Sequence, residues 1–147
     1  MSDKVLKESG AIQVLSIQMS KQGVNEFTLA NNEILLAVFC QGRGDVTFSE
    51  KKIFAVEKEY VMICGGMGRN EISVCTEDLP ESQVILVVLT GICMPEKMKR
   101  GCLRNQSSKI VSMLIREIGE KQFGYVSNCE SLINMLLILL HRECNQA

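Results

Sequence analysis

The sequence predicts a mainly β protein with C-terminal helices: an antiparallel jelly-roll barrel followed by two antiparallel α-helices. Up to Thr90 the apolar residues alternate or run in short bursts, in about eight segments separated by turn chemistry. Past Gly91 the spacing becomes helical. With 147 residues, 46% hydrophobic against 22% charged, the chain is long and apolar enough for one real core.

In chain order, residues 12–19 (IQVLSIQM) alternate loosely, and residues 26–30 follow a break at Gln22-Gly23, as two strands joined by a turn. Residues 33–41 (EILLAVFCQ) are apolar almost throughout, which predicts a strand buried on both faces. Their β-branched and aromatic members favour strand over a buried helical turn. Residues 42–66 read as a strand, a tight turn around 49–51, a second strand, a charged turn around 57–59, and a third strand closing on Gly65-Gly66. Residues 70–76 (NEISVCT) alternate again before EDLPES, where Pro80 blocks further pairing, and residues 83–90 (QVILVVLT) form the most apolar strand.

Residues 92–105 read as a polar, basic connector. From Asn105, Ile110, Val111, Leu114, Ile115 and Ile118 fall on one stripe opposite Lys109, Arg116, Glu117 and Glu120, which predicts a helix near 105–122 with Gly124 as its stop. A second helix near 128–144 opens on Ser127-Asn128-Cys129-Glu130, a capping-box arrangement. Its aliphatic run leaves only a narrow polar wedge at Ser131, Asn134, His141 and Asn145. A helix apolar nearly all round needs two surfaces to bury it. Either both belong to its own chain, or one is a second copy; a homodimer seam would then use Leu132, Leu136 and Leu139 on one stripe, or Ile133, Leu137 and Leu140 on the next.

Composition excludes several classes. A net charge of -1 gives no positive field to draw the domain onto phosphate backbones. The cluster Lys97, Lys99, Arg100 and Arg104 reads as a solvated connector, with contact to DNA backbone or an acidic partner as the alternative. The seven cysteines form no CxxC pair, so reduced thiols in a cytoplasm are expected; Cys40, Cys64 and Cys75 read as core, and Cys93, Cys102 and Cys144 as candidate oxidant sensors. No leader or membrane-spanning run is visible, and a cytoplasmic, soluble protein is expected. The single histidine, His141, cannot supply the two or three imidazoles of a metal site, so neither metal nor cofactor is expected, and no second histidine activates a cysteine for catalysis.

Residues 33–66, with the buried strand, the Gly42-Arg43-Gly44 turn, the KKIFAV strand and the EYVMICGG that follows, resemble the amino-terminal sensor and dimerisation domain of AraC-type (AraC/XylS) bacterial transcription regulators. The family pattern has a G-x-G, two strands, an L-x-P-G-D turn, an apolar strand and a Pro-Pro-Gly-like corner. Here Lys58-Glu59-Tyr60 stands where P-G-D is usual, and Gly65-Gly66 where Pro-Pro is usual. The resemblance covers about residues 12–90 and, in position and character, the helices to 145.

It implies a cupin-like barrel over 1–92, a connector and helical dimerisation region over 93–147 of the same unit, and a DNA-binding half that is not in this chain. The implied role is the effector-sensing or dimerising part of a transcription activator, as in members controlling virulence genes, and not an enzyme. A stand-alone small-molecule-binding or anti-regulator module, with a regulatory protein as partner, is the alternative; a cupin enzyme ranks below both. An approximate alignment with sugar-sensing relatives places Gln41, Asn70, Ile72, Val87 and Leu89 near the ligand cavity. Most of these are apolar, which disfavours a polyol and leaves two options, an elongated apolar effector or a barrel filled by its own side chains.

Overall fold

Strand β3, Ile34–Gln41, explains why its sequence is apolar on both faces. In the computed structural model, which describes residues 7–20, 23–68, 70–76, 82–94 and 96–144, Leu35, Ala37 and Phe39 belong to one buried cluster and Ile34, Leu36 and Val38 to another. The first cluster fills the space between two sheets; the second lies between a sheet and a pair of helices. Successive strand residues point to opposite faces, so a strand covered on both sides loses its alternation.

The other strands are β1 Lys7–Ser20, β2 Gly23–Leu29, β4 Gly44–Phe48, β5 Lys51–Ala55, β6 Glu59–Cys64, β7 Asn70–Thr76, β8 Gln83–Cys93 and β9 Met98–Cys102. They form a five-stranded sheet, β1-β8-β3-β6-β9, and a four-stranded sheet, β2-β7-β4-β5, antiparallel in every pairing. Helices α1, Asn105–Glu120, and α2, Tyr125–Cys144, cover the outer face of the larger sheet. This is the cupin-like jelly roll followed by an antiparallel helix pair.

Local chemistry sets the corners. Ser49 and Glu50 both take positive φ (50° and 64°), the two-residue turn whose twist matches the strands it joins, β4 and β5. Gly65 follows β6 where an added Cβ would collide with the Ala30 carbonyl oxygen, so the third strand ends on a residue without one. The Arg100 guanidinium donates to the Phe54 carbonyl at 2.9 Å and lies 3.7 Å from the Glu59 carboxylate, bridging the edge strands β9 and β5 of the two sheets.

The stretch read as a connector therefore contains a ninth strand. MKRGC shows no apolar alternation, yet β9 pairs with β6 from Met98 opposite Ile63 to Cys102 opposite Glu59, because the adjacent apolar β6 supplies its ladder partners. Lys99 is buried rather than solvated, with no hydrogen-bond partner for Nζ among the described residues, while Arg100 faces out. The helix ends shift too. α1 stops at Lys121, which takes the left-handed conformation (φ 50°) and returns its N–H to the Glu117 carbonyl, ahead of Gly124. α2 starts at Tyr125, so Ser127 lies inside the first turn and not at its cap. The turn EDLPES lies mostly outside the described residues.

The apolar run of α2 is buried within its own chain. Ile133 and Leu136 are 0% exposed, Leu132, Leu137 and Leu140 are also buried, and Leu139 is half-buried against the same cluster. α1 covers one flank and the five-stranded sheet the other, so both surfaces that the helix needs are intramolecular. These six side chains are not a free seam. The large apolar residues left outside on the helix pair are Met113, Val126, Met135 and Ile138, with Phe123 in the connecting turn.

Candidate functional site

Strand β1 places Ile17 and Met19 opposite Val87 and Ile85 of β8, on the helix side of the larger sheet. α1 carries Ile115 and Ile118 on the continuation of its buried stripe, Ile110, Val111 and Leu114, the inter-helix turn adds Lys121, and the start of α2 adds Tyr125. Between β1 and this end of the helix pair lies a groove of about 470 Å³. Its walls are Ile17, Met19, Ile115, Ile118, Tyr125 and Val126, with Gly119 leaving room, and Gln18 and Lys121 as its amide and its cation.

That combination has definite chemical demands. Aliphatic walls reward an apolar body removed from water at about 25 cal/mol per Å². They reject a polyol, whose hydroxyls would lose water without recovering partners. Lys121, exposed at the end of α1, supplies one positive charge where a single carboxylate can sit.

The residues expected to line one cavity are not brought together. Ile72 faces the space between the sheets, whereas Val87 and Leu89 face the helices. Gln41 is exposed at the end of β3. The Asn70 carboxamide is engaged by backbone, donating to the carbonyls of Leu29 at 3.2 Å, Gly66 at 2.9 Å and Gly68 at 3.3 Å. The side chains between the sheets, Phe39, Ile63, Ile72 and Leu86 among them, pack against one another as a core. Sequence reasoning missed the groove because it joins residues 17–19 to 115–126, far apart in the chain. The one available signal was that Ile115 and Ile118 extend the α1 stripe beyond Leu114.

Outside, α1 and α2 meet along a shallow cleft of about 280 Å³, lined by Met113, Arg116, Glu117, Asn128, Ser131 and Leu132. Asn128 Nδ2 donates to Glu117 Oε1 at 3.4 Å across it. Among the thiols, burial pushes Cys40 up to about 11 against a partial pull from a backbone hydrogen bond at Ile85. Burial also raises Cys64, with Cys93 nearby adding to it, and Cys129, with Glu117 adding to it. Cys93 and Cys102 are exposed. Among the described residues no group of three or more His, Cys, Asp or Glu is placed to hold a metal ion, and no helix is long and apolar enough to cross a membrane.

No protein family and no curated protein matches the sequence. Solved structures do match. Apo ToxT K231A from Vibrio cholerae superposes with TM-score 0.54 at 8% identity, covering 94% of this chain and 58% of that one. ToxT from Vibrio cholerae O395 bound to (E)-4-(8-methylnaphthalen-1-yl)but-3-enoic acid gives 0.51 at 7% identity, with coverage of 91% and 58%. YhaK from Escherichia coli gives 0.50 at 13% identity, with coverage of 67% and 46%. At these identities the likeness is one of fold. The chain spans about half the length of the proteins it resembles.

Proposed function

We propose that this chain is the regulatory domain of a transcription activator, sensing an apolar, singly anionic small molecule in the groove between β1 and the helix pair. The observation that carries the proposal is the groove itself, aliphatic on its walls with Lys121 as its cation. Two further observations support it. The order of turns and strands over residues 33–66 resembles AraC-type sensors, and a structure of the same fold, ToxT, is bound to an aromatic butenoic acid, an apolar body ending in one carboxylate. A ligand there would touch barrel and helices at once, so its binding would bias how the helix pair sits on the sheet.

Isothermal titration with that same naphthyl butenoic acid, its methyl ester and a pentose tests the reading. Binding of the acid, several-fold weaker binding of the ester and none of the pentose are expected. Lys121→Glu is expected to weaken the acid and spare the ester, and Val126→Glu to weaken both. Unchanged binding in both variants sinks the groove as the site. Absence of binding by acid and ester alike sinks the sensing role.

A further inference from the structure

Phe123 is fully exposed (106%), more so than any other large apolar side chain among the described residues. It stands beside the groove between β1 and the helix pair. Lys121 and Tyr125, two residues to either side, both line that groove, as does Val126. Two residues of chain span at most about 7 Å, so the ring is within a side chain's length of the mouth. Phe123 and Tyr125 are also the only Phe or Tyr residues beyond Gly91. Tyr125 packs partly against the helix-side core, and Phe123 stands in solvent.

The backbone beneath the ring is fixed, while the ring is free to turn. The Tyr125 N–H donates to the Gln122 carbonyl at 3.0 Å and Gly124 takes φ 82°, a type II turn with Phe123 second and the glycine it requires third. An exposed ring on such a turn moves by rotation about χ1, within nanoseconds. A Cβ added at Gly119, in the groove wall, or at Gly124 would meet no atom within 4 Å, so neither place is crowded. Laid across the empty groove, the ring would span about 470 Å³ of open space with few atoms at contact distance. A ligand that fills the groove brings apolar surface up to the ring.

We propose that Phe123 is a ligand-binding residue, its ring rotating onto the apolar body of an acid held in the groove and shielding it from water. Lys121 then holds the carboxylate and Phe123 covers the body, both from one turn. This role rests on the sensing groove proposed above, and the experiment reads groove and ring separately.

The sequence contains five Phe, so protein carrying 4-fluorophenylalanine gives five fluorine resonances, and Phe123→Leu and Phe54→Leu identify two of them. With (E)-4-(8-methylnaphthalen-1-yl)but-3-enoic acid at saturation, the 123 resonance is expected to shift under the naphthalene ring current and to lose its H2O-to-D2O shift. Phe54, exposed on β5 of the other sheet, is expected to keep its own. Phe123→Ala, at an exposed position, is expected to leave circular dichroism unchanged and to weaken the acid and its methyl ester alike, each roughly tenfold. Lys121→Glu weakens the acid alone, so cover and charge are told apart. If the wild type binds the acid in calorimetry with the 123 resonance unmoved, or if Phe123→Ala binds as tightly as the wild type, the role of the ring is overturned and the groove stands. If the wild type binds neither acid nor ester, the groove falls and the ring's role with it.

Discussion

The Ser107 hydroxyl donates to Glu143 Oε1 at 2.8 Å, with both residues buried, and so joins the first turn of α1 to the last turn of α2. Ser107 Oγ also accepts from the Arg104 N–H at 2.8 Å, so one hydroxyl caps α1 and closes the helix pair at its open end. The turn at Lys121 to Gly124 closes the other end, where the groove lies. The two helices are thus fixed to each other at both ends.

Ser107→Ala leaves the buried Glu143 carboxylate without this donor. A loss of about 1–3 kcal/mol of unfolding free energy is expected, measured by urea denaturation. Ser107→Thr keeps the hydroxyl and is expected to lose less.

Ile133→Ala or Leu136→Ala creates a cavity between helix and sheet and is expected to cost about 2–5 kcal/mol. Met135→Ala removes an exposed side chain of similar size. Its effect on unfolding is expected to stay within about 0.5 kcal/mol. Equal effects at 135 and 136 would contradict the orientation of α2.

The Cys40 thiol is held protonated by burial, pushed from its ordinary 9.0 to about 11. A folded-state value above the unfolded one means a contribution complete below pH 9 and lost as pH rises through 11. Wild type is therefore expected to lose more stability across that window than Cys40→Ala in parallel urea melts. Parallel curves would contradict it.

Much of the barrel was legible because local chemistry and global packing agree there. The uniform apolarity of residues 33–41 reported a strand covered on both faces, and Ser49-Glu50 marked a hairpin without a glycine. β9 was not legible, because an edge strand with Lys99 buried and Arg100 outward carries no periodic apolar signal. The leucine stripes of α2 showed that two surfaces cover the helix but could not show that both belong to one chain. The site was least legible of all. Val87 and Leu89 sit one strand position away from the residues that face the barrel interior, and a single step in register exchanges the faces.

The most direct measurement is a methyl NMR titration of isoleucine-labelled protein with (E)-4-(8-methylnaphthalen-1-yl)but-3-enoic acid. Ile17, Ile115 and Ile118 line the groove, whereas Ile53 and Ile72 lie between the sheets. Saturable shifts of the first three methyls, with Ile53 and Ile72 unmoved, are the predicted result. Shifts confined to Ile53 and Ile72, or no shifts at any ligand concentration, would contradict it.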